Sequence, residues 1–78
     1  METSARIREV LAEVLDLDPA LIDGTFSRDG APEWDSLAHL RLVTALEEAF
    51  GIKLTMKEVG EMDRYTKIRD RIEAHLHR

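Results

Sequence analysis

Cysteine is absent from the 78 residues, and that one gap removes disulfide frameworks, thiolate metal sites and cysteine nucleophiles together. It fits a reducing cytoplasm, where the chain is expected to act. Long apolar runs are also missing. No stretch approaches the ~18 residues of a membrane span, and the opening METSARIREV lacks the basic-then-apolar order of a secretory signal. Base is in deficit: 11 Lys and Arg against 16 Asp and Glu leave a net charge of −5. That sign disfavours nucleic acid, whose phosphates need a basic surface, and favours basic patches on other proteins. Length is short as well. One domain over residues 1–78 buries too little surface to build both a core and a deep substrate cleft, which argues against a self-sufficient enzyme.

What is present is an ordinary globular mixture, 44% hydrophobic and 35% charged, patterned for helices. Ile7, Val10, Leu11 and Val14 recur at helical spacing and predict an amphipathic helix over roughly residues 4–15, ending near Asp18-Pro19. Residues 16–35 hold Pro19, Gly24, Gly30 and Pro32 and read as a long connection. Leu17, Leu21, Ile22 and Phe26 are expected to pin it to the core, with a short helical turn at Pro19–Ile22. A second helix is predicted from Ser36 to Phe50, its apolar stripe formed by Leu37, Leu40, Val43, Leu46 and Phe50 and widened by Leu42. Asp35 or Ser36 caps its start, and Gly51 stands where a left-handed residue ends a helix. Thr55-Met56-Lys57-Glu58 has the form of a capping box opening a short third helix, with Val59 and Met62 inward and Met56 taken as core filler. A fourth helix over about 66–77 carries Ile68, Ile72 and Leu76. Arg64, Lys67, Arg69, Arg71 and Arg78 make this tail basic, as a solvated helix face would be; a membrane-surface helix is the weaker alternative. Nothing alternates with period two long enough for a sheet. The fold class is all-α, a four-helix bundle with a short third helix and a long loop between the first two.

Asp35-Ser36-Leu37 alone is weak evidence, since a serine beside an aspartate at a helix start is most often a cap. Asp35, Ser36 and His39 contain the residue types of a hydrolytic triad, but an exposed helix start offers no oxyanion hole and no enclosure. We expect no catalytic residue. His75 and His77, two apart, have the wrong helical spacing for a shared metal and are expected in solvent. No metal site is predicted.

The whole block from Trp34 to Ile52, with DSL followed by LV-x-ALEE-x-F, resembles the acyl carrier protein family, and the order of helices extends the resemblance over nearly the whole chain. The resemblance implies a free-standing carrier. Ser36 would bear a covalent 4′-phosphopantetheine arm, delivered from coenzyme A by a phosphopantetheinyl transferase and holding an acyl group as a thioester. Asp35 and Leu37 flank the attachment point. Acyl-loading and acyl-processing enzymes would be the other partners, neither nucleic acid nor membrane would be one, and the chain would be a monomer. Docking to partners would fall on Glu33, Trp34, Arg41, Glu47 and Glu48, with Trp34 equally able to pack over the helix end. His39 would stand beside the arm, touching its phosphate when protonated. Leu37, Leu40, Val43, Val59 and Met62 would border the space an acyl chain enters. Primary fatty acid carriers read DSLD-x-VELV, whereas this chain has Ala38 and Arg41 at the two acidic positions. WDSL-x-HL looks more like carriers of dedicated routes, such as polyketide or modified-amino-acid pathways. An aminoacyl or peptidyl carrier with the same arm is the nearest alternative, and an unmodified helical interaction module is one of another class.

Overall fold

The computed structural model describes residues 3–77; Met1, Glu2 and Arg78, the last base of the tail, lie outside the described residues. Among the described residues there are four α-helices: α1 (Thr3–Leu15), α2 (Ser36–Phe50), α3 (Met56–Glu61) and α4 (Tyr65–Leu76). Two 3-10 turns, Pro19–Leu21 and Arg28–Gly30, interrupt the long connection between α1 and α2. The first was expected and the second was not. No described helix is long and apolar enough to cross a membrane.

Each long boundary has a local cause. α1 stops at Leu15, three residues before Asp18, because Asp16 turns left-handed at φ 56°, letting the Leu17 N–H reach the Ala12 carbonyl at 2.9 Å. α2 ends the same way with a residue suited to it: Gly51 sits at φ 64°, and the Ile52 N–H reaches the Glu47 carbonyl at 3.1 Å. The capping box forms as the sequence predicts, with Thr55 and Glu58 exchanging side chain-to-backbone hydrogen bonds.

The molecule is only 19 Å across its thinnest direction, room for two layers of helices and one core between them. α1 packs on both α2 and α4, and Ile7, Leu11, Leu42, Leu46, Ile68 and Ile72 are fully buried there. Leu21 departs from expectation. It is 61% exposed while its neighbour Ile22 is buried and offers its carbonyl to Arg8 Nε at 3.0 Å. The tail behaves as a packed helix with a solvated face: Tyr65, Ile68 and Ile72 point inward, and Lys67, Arg69 and Arg71 pair with Asp63, Glu73 and Glu61. His75 is not in solvent as predicted. Its side chain is largely covered and its Nε2 lies 2.9 Å from Glu58 Oε2, which ties α4 to the capping box of α3.

The long connection is anchored at its far end by the α3–α4 junction. The Arg28 N–H donates to the Asp63 carbonyl and the Tyr65 N–H to the Phe26 carbonyl, both at 2.9 Å, making an isolated antiparallel bridge between Ser27 and Arg64. This bridge fixes where Arg28 stands relative to the start of α2.

Candidate functional site

The start of α2 resolves which residue caps it. Asp35 has extended backbone and its Oδ1 accepts from the Ala38 N–H at 2.8 Å, so Asp35 is the cap and Ser36 is the first helical residue. The Ser36 hydroxyl is therefore released from capping, exposed, and placed at the positive end of the helix dipole. Beside it stands a residue that sequence reasoning missed. Arg28 donates from Nε to the Trp34 carbonyl at 3.0 Å and from Nη2 to Ser36 Oγ at 3.4 Å. A signal existed: Arg28 is the one base between Asp16 and Asp35, a stretch otherwise acidic.

Directly beneath, the structure decides between the two readings of Trp34 in favour of packing and corrects the reading of His39. Trp34 is 2% exposed, so it offers no docking surface; it stacks on Phe26 with ring centroids 5.7 Å apart and fills the gap under α2. His39 does not stand beside an arm. It is buried, accepting from Trp34 Nε1–H at Nδ1 (2.9 Å) and lying 2.8 Å from the Val59 carbonyl through Nε2. An indole N–H only donates and a carbonyl only accepts, so the ring must be the neutral tautomer with its proton on Nε2. Both nitrogens are engaged, neither by Ser36, and no triad exists.

The α2 stripe is also rotated from the predicted one. His39, Leu42, Val43 and Leu46 face the core, whereas Leu37 and Leu40 are 66% and 57% exposed. The reason is geometric. Each i,i+3 step falls about 60° short of a full turn, so three of them carry Leu37 about 180° from Leu46. Val43, Val59 and Met62 are buried as expected, but the space they were to border with Leu37 and Leu40 is bridged by His39. Met56, expected inside, is 81% exposed. Of the other predicted docking residues, Glu33, Arg41 and Glu48 are exposed, while Glu47 is half-buried and accepts the Leu54 N–H at 2.8 Å. Its carboxylate secures the turn after α2. Among the described residues no cluster of ligating side chains suits a metal.

An exposed hydroxyl at a helix start with a guanidinium beside it fits the attachment of an anionic group. The sequence matches the family described as phosphopantetheine attachment site over residues 5–74. The chain belongs to this family of phosphopantetheine carriers. Two solved structures share the fold. The solution structure of the holo acyl carrier protein from Geobacter metallireducens is 25% identical with a TM-score of 0.85, covering 97% of this chain and 87% of that one. That of the holo acyl carrier protein from Nitrosomonas europaea is also 25% identical, with a TM-score of 0.84 and full coverage of both chains. The chain is accordingly a carrier and not an enzyme, and its cofactor is covalent 4′-phosphopantetheine. Carriers of this family work with a phosphopantetheinyl transferase and with acyl-processing enzymes.

Proposed function

We propose that Ser36 is the attachment residue and that the chain presents acyl groups to the enzymes of a dedicated biosynthetic route. The observation that carries the first half is the exposed Ser36 hydroxyl, freed by Asp35 capping Ala38. Ser36 offers that hydroxyl to the transferase and gives up one proton to a base the transferase supplies. Its Oγ–P bond forms as the pyrophosphate link of coenzyme A breaks and adenosine 3′,5′-bisphosphate leaves. The helix start then faces a diester anion, which the unpaired backbone N–H groups of its first turn favour. When bound, the arm supplies a terminal thiol for the acyl cargo. The chain's own part is to hold the attachment point rigidly: Trp34 and His39 fasten the turn from below, and Leu37 and Leu40 present an apolar exterior beside it.

Incubation with coenzyme A, magnesium and a broad-specificity phosphopantetheinyl transferase should add the mass of one arm to the protein and none to Ser36→Ala. An arm on the Ser36→Ala protein would place the attachment elsewhere.

The second half rests on Arg41, exposed on α2 where the resemblance expects an acid. Partners that grip an acidic helix with lysine or arginine would meet a like charge there, a contact that costs affinity and on-rate. A ketoacyl synthase of fatty acid synthesis should therefore process the acylated wild type poorly and Arg41→Glu better, with the gain shrinking at high salt. Efficient turnover of the wild type would remove the support for a dedicated route.

A further inference from the structure

Arg28 is held in an unusual way for a surface base. None of the ion pairs among the described residues includes it. Its main-chain N–H is fixed by the Asp63 carbonyl, and the guanidinium itself is oriented through Nε by the Trp34 carbonyl, a neutral acceptor, and by no carboxylate. The remaining contact is Nη2 to Ser36 Oγ at 3.4 Å, a long hydrogen bond to a neutral oxygen. A delocalised cation with a rigid fork, half-buried and aimed at a hydroxyl, is better matched to an anion than to the partner it has.

We infer that Arg28 is a positioning residue for the phosphodiester that links the arm to Ser36, an assignment that rests on Ser36 being the attachment residue. Esterification turns Ser36 Oγ into a poor acceptor and places charged non-bridging oxygens on the phosphorus bonded to it, two P–O bonds from Oγ. The guanidinium already at Oγ is within reach of those oxygens without moving its Nε from Trp34. There is a second reason for a cation here. Asp35 holds its carboxylate one residue away, and a diester on Ser36 adds another negative charge. Arg28 offsets the repulsion between them, and by gripping the diester it restricts the direction in which the arm leaves the helix start. The arm is steered toward the face where Leu37 and Leu40 are exposed, not toward the interior that Trp34 and His39 fill.

Because Arg28 also bonds Trp34, a loss of stability on substitution proves nothing by itself. The test is a cycle: wild type, Arg28→Gln and Arg28→Lys, each with and without the arm, by chemical denaturation at two salt concentrations, together with 31P NMR of the loaded proteins. Intact mass with fragmentation first locates the arm. The expected result is a 31P resonance displaced in Arg28→Gln, and a stability gap to wild type that widens on loading by about two- to fivefold in the unfolding constant, as for an exposed ion pair. High salt should close that widening, and Arg28→Lys, which keeps the charge, should recover part of it. A gap equal with and without the arm, and a 31P resonance unmoved by Arg28→Gln, would overturn the inference alone. An arm found on a residue other than Ser36 would overturn it together with the attachment reading.

Discussion

The two sides of the α2 start are built from different materials. Below it, Trp34, His39 and the Val59 carbonyl form a buried chain of hydrogen bonds, with Phe26 stacked on the indole. Above it, Ser36, Leu37 and Leu40 are exposed, and the Arg28 guanidinium donates to the serine hydroxyl. The difference teaches that the attachment turn is anchored from one side so that the other can be left open. An apolar core alone would hold α2 to α1, but α3 has only six residues and one buried aliphatic, Val59. A directional link from His39 to α3 supplies what so short a helix cannot obtain from area, since a satisfied buried hydrogen bond specifies geometry while an unsatisfied one is costly.

Substitution should separate the two sides most sharply at Trp34 and Leu37. Trp34→Ala removes a large buried side chain and leaves Nδ1 of His39 without its donor, and should cost about 3–5 kcal/mol in chemical denaturation. Leu37→Ala, on the open side, should stay within about half a kcal/mol. Equal costs would mean that the rotation of α2 described above is wrong.

His39→Ala comes next. It strands the Trp34 N–H and the Val59 carbonyl in the interior, for an expected loss of about 1–3 kcal/mol. In the wild type, 15N NMR of the ring should show the proton on Nε2. A ring protonated on Nδ1 alone would contradict the hydrogen bond from Trp34.

A smaller effect is expected where α3 meets α4. The Thr55 N–H donates to the Glu58 carboxylate and His75 lies beside it, and these hold its pKa below the ordinary 4.5. A carboxylate depressed in the folded state is protonated first in the unfolded one. Its contribution is complete above the ordinary value and is lost as pH falls through the folded value. Glu58→Gln keeps an acceptor for Thr55 but cannot titrate. Its stability should therefore fall less steeply than the wild type's below about pH 4.5, and parallel acid profiles would show that Glu58 carries none of the dependence.

The legible part of this molecule is what neighbouring residues decide. Gly51 marks the end of α2, Thr55 and Glu58 write the capping box, and Pro19 sets the first 3-10 turn, because each acts within one turn of chain. The block around Ser36 points to the carrier family for the same reason. What escaped depends on distant contacts. Arg28 reaches Ser36 only because the α3–α4 junction holds residues 26–28 in place, and nothing local to Arg28 encodes that bridge. His39 looked like a polar neighbour of the serine, yet its partners lie five residues back and twenty residues on. Leu37 and Leu40 differ from expectation because of the helical period: steps of three residues accumulate rotation across α2, so both turn outward, and Leu42, expected at the margin of the stripe, lies at its centre with no exposed surface.

The most direct test of an open side and an anchored side is a pair of 1H–15N NMR spectra of the protein, before and after the arm is attached. The account predicts shifts concentrated at Ser36, Leu37, Leu40 and the Arg28 side chain, with the Trp34 indole N–H and the His39 ring unchanged. A displaced or exchange-broadened Trp34 indole resonance on loading would show the anchor opening to the arm, and would contradict it.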